Sequence, residues 1–194
     1  LAPYHLAPTT AAEAATMMGD GLSEFFWRAL VAKRLHLPAL DADEARRNFI
    51  NAYRKVPARL SEPYAGIPEL LRELRDRGLL TAVCTNKIES IAVSILERLE
   101  LRSLFDAVVG YRDDRPMKPH PRPLLEAVAR AGGHVERTLL VGDTGADNGA
   151  AIAARVPLIL VSYGYSATPV RSMGYGKVVD DVAGLRDGIM GFVG

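Results

Sequence analysis

The sequence contains one cysteine, Cys84, which excludes an internal disulfide. A single thiol in an apolar run fits a small strand residue in a reducing compartment, most simply the cytoplasm. Long apolar runs are also missing. The longest, VPLILV at 156–161, has the length of a strand and falls far short of the ~20 residues of a membrane helix. The first ten residues, LAPYHLAPTT, lack the basic start and apolar centre of a signal peptide. Neither sign of charge is in excess: 24 Lys and Arg against 23 Asp and Glu leave a net +1. That balance, with no basic run interleaved with aromatics, argues against nucleic acid or an anionic membrane as partner. No internal repeat or low-complexity segment is found. Hydrophobic content of 48 % and charged content of 24 % are those of an ordinary folded domain, and the length of 194 residues suits one core with a small helical addition.

The chain falls into two textures. Its first sixty residues read as helical throughout. Thr10 with Glu13 forms a capping box, Gly19-Asp20-Gly21 breaks the chain, and Asp20 can cap the helix that follows. Leu22, Phe25, Phe26, Ala29 and Leu30 recur at helical spacing with Trp27 off the stripe, and Leu37-Pro38 ends that helix. Asp41 with Glu44 is a second capping box, ahead of a stripe of Ala45, Phe49, Ala52, Tyr53, Val56 and Leu60. Residues 1–62 are therefore expected to form a small helical bundle, separated by Glu62-Pro63-Tyr64-Ala65-Gly66 from an α/β domain at 63–194.

From Ile67 helices and strands alternate, the pattern of a doubly wound parallel sheet with crossover helices. Strands are expected at 79–84, 105–109, 138–141, 157–162 and 177–179, with helices between them and a last helix from Val182.

The stretch TLLVGDTGADNGAAIAA at 138–154 reads as strand, tight turn and helix. Its spacing of Gly142, Gly145 and Gly149 is not G-x-G-x-x-G, and no Gly-Lys-Ser/Thr follows, so dinucleotide and P-loop readings are excluded. Asp143 stands at the carboxyl end of the strand and Asp147 in the first helical turn, where parallel α/β sheets gather ligands. Two hard carboxylate oxygens there suit Mg²⁺. The same two residues could instead only cap the helix and complement its dipole, worth ~0.3–1 kcal/mol each. Thr85 and Lys118 follow other strands of the same edge, and a hydroxyl, an ammonium and a metal-binding carboxylate in one crevice would suit a phosphate. Taken singly, Thr85 reads as a turn residue and Lys118 as a solvated loop lysine. His120, between two prolines, reads as a rigid loop histidine, and His5, His36 and His134 lack metal-ligand spacing.

The order of these words is recognisable. A strand ending TN, then KPHPRPLL, then VGDTGAD before an alanine-rich helix, then VSYGY, resembles the haloacid dehalogenase superfamily of phosphohydrolases. MMGDGLSEFFWRAL, PYAGIPELLRELRDRGLLTAVCTNK, LFDAVVG and YGYSATPV extend the resemblance over nearly the whole chain, and are most similar to the branch acting on small phosphomonoesters such as 2-phosphoglycolate. The resemblance implies that Thr85 and the Asn86 backbone bind the transferring phosphate, and that Lys118 steadies the phosphate and the nucleophile. It further implies that Asp143 ligates Mg²⁺, with Asp147 supporting the metal from beside or behind. The helical bundle would be a mobile cap whose turn Gly19-Asp20-Gly21 approaches the substrate. The expected partner is a small phosphomonoester, and the expected state a monomer or homodimer.

The superfamily's D-x-D-G-T motif, whose first aspartate is the nucleophile that becomes phosphorylated, has no counterpart here. Asp41-Ala42-Asp43 lacks a preceding strand, and Arg112-Asp113-Asp114-Arg115 lacks the Gly-Thr that follows. In this fold that strand lies between the one ending at Asp143 and the one ending at Thr85. A sheet built from these residues alone is expected to stay open there, and the sequence is expected to continue upstream of Leu1. Two alternatives stand beside a hydrolase: a non-catalytic relative that binds phosphate or a partner, and a sugar-phosphate mutase. A dehalogenase fits less well, because Asp143 and Lys118 suit a metal-bound phosphate better than a halocarboxylate.

Overall fold

The computed structural model describes residues 9–17, 21–32, 42–55, 61–166 and 168–194. Helix α1 (Ala11–Ala15) opens on the expected capping box: the Glu13 amide donates to Thr10 Oγ1 at 3.2 Å and the Thr10 amide to Glu13 Oε2 at 2.7 Å. Helices α2 (Leu22–Ala32) and α3 (Ala42–Lys55) bury their shared stripe of Phe26, Leu30, Ala45 and Phe49 against each other. Phe25 stacks on Phe49 at 5.9 Å between ring centroids, while Trp27, off the stripe, is exposed. Such packing, not intrinsic propensity, stabilises helices this short. Asp20, Leu37, Pro38, Asp41, Val56 and Leu60 lie outside the described residues.

The α/β part runs α4 (Ile67–Asp76), β1 (Ala82–Ile88), α5 (Glu89–Arg98), β2 (Ala107–Tyr111), α6 (Arg122–Arg130), β3 (Leu140–Gly142), α7 (Gly145–Ala154), β4 (Leu158–Val161), β5 (Lys177–Val179) and α8 (Val182–Val193). Strand β4 shows why VPLILV is apolar without alternation. Leu158 and Leu160 face Leu124 and Val128 of α6 and Ala151 of α7, whereas Ile159 and Val161 face Leu70 and Leu74 of α4 and Leu185 of α8. Both faces of the sheet are covered, so all four side chains are buried, each contributing about 1.5–3 kcal/mol.

One expectation is corrected, the extent of β1. Strand β1 begins at Ala82 rather than at Leu79, because the Leu79 amide still closes the end of α4 by donating to the Leu74 carbonyl at 3.0 Å. At its other end β1 runs through Thr85, Asn86 and Lys87 to Ile88, with a register shift between Cys84 and Ile88, so these residues lie on an irregular strand end and not after it. All pairings are parallel, as expected, and they form two sheets, β1-β2 and β3-β4-β5.

Strands β1 and β3 do not pair, in keeping with the opening expected at that position. A cavity of about 720 Å³ lies between them, lined by Ala82, Val83 and Cys84 on one side and by Leu140 and Val141 on the other. Among the described residues no helix is long and apolar enough to cross a membrane.

Candidate active site

Where the carboxyl ends of β1 and β3 approach each other, one side chain joins them. Lys118, in the loop between β2 and α6, donates from Nζ to the Cys84 carbonyl of β1 at 2.7 Å and to Asp147 Oδ1 of α7 at 2.6 Å. The ion pair is buried, with side chains 9 % and 6 % exposed, so Lys118 is not the solvated loop lysine it resembles when taken alone. Its backbone is held as firmly. The Lys118 amide donates to Asn86 Oδ1 at 2.9 Å, and Asn86 Nδ2 donates to the Lys118 carbonyl at 3.0 Å. The Asn86 amide group thus clamps the loop to β1 by a reciprocal pair of hydrogen bonds, a role that its place beside Thr85 did not disclose.

Asp147 is more than a helix cap. Its Oδ2 accepts from the Asp143 amide at 3.2 Å, the Thr144 amide at 3.1 Å and Thr144 Oγ1 at 2.7 Å, while Thr144 caps α7 in return. Burial works to raise its pKa, but the charge and hydrogen bond of Lys118, with those of Thr144 and the Asp143 amide, outweigh burial and hold it below the usual carboxylate range. In this arrangement both oxygens of Asp147 are engaged by protein donors, which makes it a brace for Lys118 and for the turn.

Asp143 is placed differently. Burial, the largest influence, pushes its carboxyl up; the negative charge of Asp147 adds to this, and the Tyr165 amide and Lys118 oppose it. From another residue it receives one hydrogen bond, from the Tyr165 amide to Oδ2 at 2.7 Å. A carboxylate whose ionised form is disfavoured by its surroundings is suited to a cation that would offset that cost. No group of three or more His, Cys, Asp or Glu able to hold a metal occurs among the described residues. The Asp143 carboxylate supplies a hard oxygen donor of the kind a divalent cation takes together with water and phosphate oxygens.

Two glycines make this geometry possible. A Cβ on Gly142 would lie 2.4 Å from the Asp147 Cβ, and one on Gly164 would lie 2.3 Å from the Asp143 Cβ, both far inside contact distance. Gly164→Ala is accordingly expected to displace Asp143 and lower kcat/KM about tenfold or more, since misplacement of ~1 Å costs on that scale. Unchanged kinetics in that variant, with the fold intact by circular dichroism, would show that the site tolerates the shift.

Thr85 lies next to this group, its Oγ1 accepting from the Lys87 amide at 3.1 Å. Gly21 also comes close: a Cβ there would be 3.1 Å from Met117 Sδ and 3.3 Å from the Asn86 carbonyl oxygen. Gly19 and Asp20 lie outside the described residues. His120 uses Nδ1 to accept from the Arg122 amide at 3.1 Å, as a loop histidine would. Sequence reasoning missed the Asn86 side chain, Thr144, Gly164 and the Tyr165 amide. All four stand inside quoted motifs, but nothing in their spacing shows where they point.

Comparison with known proteins is decisive at this point. The model of the haloacid dehalogenase-like hydrolases matches residues 1–161. The chain belongs to that family. It is 37 % identical over 185 residues to a phosphoglycolate phosphatase of Agrobacterium fabrum, covering 95 % of this chain and 79 % of that protein. It is 38 % identical over 192 residues to one from Rhodospirillum rubrum, covering 96 % of this chain and 79 % of the relative. In structure it resembles a predicted phosphoglycolate phosphatase from Haemophilus somnus, with a TM-score of 0.87 at 24 % identity over 100 % of this chain and 86 % of that one, a likeness of fold. Family and relatives together support a phosphatase activity for this haloacid dehalogenase-like hydrolase.

Proposed function

We propose that this hydrolase is a Mg²⁺-dependent phosphomonoesterase that converts 2-phosphoglycolate to glycolate and inorganic phosphate. The observation that carries the reading is the buried lysine, Lys118, held between the end of β1 and Asp147 beside Thr85 and Asp143. In this reading Thr85 Oγ1 and the Asn86 amide bind phosphate oxygens, and Lys118 neutralises the charge that spreads over them as the ester bond breaks. Asp143 would hold Mg²⁺, which when bound supplies further charge neutralisation. Asp147 keeps Lys118 and the turn in place. The net reaction puts a water oxygen on phosphorus, and the alcohol leaves with a proton. The aspartyl-phosphate intermediate implied by the family requires an aspartate with no counterpart at positions 1–194, so the roles assigned here are those of binding and charge neutralisation.

Residues 1–62 act in this reading as the cap that closes over the site, and Gly21, beside Asn86 and Met117, marks where it meets the core. The free thiol of Cys84 fits a cytoplasmic protein. The 37 % identity to a phosphoglycolate phosphatase supports the choice of substrate.

The test is release of inorganic phosphate from 2-phosphoglycolate by the purified protein. Activity is expected with Mg²⁺, is expected to disappear with a chelator, and is expected to return on adding Mg²⁺. Release that ignores the chelator would overturn the cation assignment. No release from 2-phosphoglycolate or other small phosphomonoesters would overturn the hydrolase.

A further inference from the structure

The cations around the end of β1 are not used alike. Lys118 is neutralised by Asp147, and Arg115, buried in the same loop, is neutralised by Glu89 and Glu126 at 3.2 and 3.0 Å. Lys87 differs. It has no carboxylate partner among the described residues; its Nζ donates to the phenol oxygen of Tyr53 at 3.0 Å and lies 5.2 Å from the centre of that ring. Tyr53 belongs to α3, so this contact spans the seam between the amino-terminal helices and the α/β part. The same seam brings Gly21 against the Asn86 carbonyl.

A half-buried ammonium held by a phenol and a ring face is not neutralised by a carboxylate among the described residues. Its position is informative as well. Lys87 is two residues beyond Thr85 and tied to it through the bond from its amide to Thr85 Oγ1 at 3.1 Å. With a phosphate at Thr85 and Lys118 as proposed above, the seam where this ammonium stands adjoins the phosphate position and offers room for the rest of the substrate.

We propose that Lys87, held at that seam by Tyr53, recognises a carboxylate on the substrate and so selects phosphorylated hydroxy acids over uncharged phosphate esters. This inference rests on the proposed hydrolase and adds to it the residue that sets substrate class. Lys87 exchanges part of its contact with Tyr53 for a charge-assisted hydrogen bond to the carboxylate, and Tyr53 keeps the lysine from reaching the phosphate instead. A lysine serving only to latch the helices to the core would act equally on every substrate.

The experiment compares 2-phosphoglycolate with 2-hydroxyethyl phosphate, which keeps the phosphate and replaces the carboxylate by an alcohol. Both hydrolysis and binding by calorimetry are measured for the protein as it exists and for Lys87→Met, Lys87→Arg and Tyr53→Phe. Lys87→Met is expected to lose about ten- to a hundredfold in kcat/KM and affinity for 2-phosphoglycolate while changing little toward the uncharged ester. Lys87→Arg is expected to keep most of the preference, and Tyr53→Phe to lose a smaller part of it. An equal fall for both esters, or an unchanged preference in Lys87→Met, overturns the inference and leaves the hydrolase standing. A protein that hydrolyses neither ester overturns the hydrolase and the inference together.

Discussion

Lys118→Met is expected to lower phosphate release by about a hundred- to a thousandfold, the cost of removing one preorganised group that stabilises developing charge. The effect on stability is expected to be as large. Asp147 is buried and its partner would be gone; breaking a buried pair from one side costs about 3–5 kcal/mol because the remaining charge is left uncompensated. The two effects can be separated. In the double variant Lys118→Met with Asp147→Asn the orphaned charge is absent, so the denaturation midpoint is expected to return most of the way to that of the parent while activity stays lost. A double variant that regains hydrolysis would show that Lys118 serves the fold and not the reaction. One that stays as unstable as the single variant would show that Lys118 holds the loop by its bond to the Cys84 carbonyl more than by charge.

Asp143→Asn is expected to abolish hydrolysis and, without divalent cation, to raise thermal stability at neutral pH. The two outcomes share one cause. Burial raises the pKa of Asp143 in the folded chain above its unfolded value, so folding prefers the protonated carboxyl. The stabilising contribution of that preference is complete below the unfolded pKa, about 3.9, and is lost as pH rises through the higher folded value. At pH 7 the ionised Asp143 therefore works against the fold, and the neutral amide removes the penalty. The gain is expected to shrink as the pH is lowered toward 4 and to be offset in the parent when Mg²⁺ is added, because a cation stabilises the ionised form. Asp147→Asn is expected to do the reverse, since Asp147 is held below its usual range and contributes most above the unfolded pKa. Thermal melts of both variants at pH 7 and pH 4, with and without Mg²⁺, check the signs. Full activity in Asp143→Asn would refute its role as a cation ligand.

Much of this was legible in the linear sequence because it depends on local rules. The capping box at Thr10, the stripe that packs α2 on α3, the continuous apolar run of β4 and the strand-turn-helix around Asp143 follow from short-range periodicity and side-chain chemistry. The order of the motifs along the chain was enough to point to the family. The opening between β1 and β3 was expected only through the family resemblance, which places the strand of the D-x-D-G-T motif there.

What only tertiary structure decided is how partners far apart in sequence are matched. Nothing local distinguishes Lys118 from a solvated lysine; its bonds to Cys84 and Asp147 span separations of 34 and 29 residues. Asp143 and Asp147, read as a metal ligand and its support, acquire opposite pKa shifts: burial raises Asp143, which accepts the Tyr165 amide of the loop after β4, whereas Lys118 and Thr144 outweigh burial at Asp147. The start of β1 moved by three residues because a backbone bond to α4 claimed Leu79 first. Composition and spacing determined which groups exist and which elements carry them. Burial and long-range pairing, which depend on where the folded chain excludes water, determined what each carboxylate and lysine does.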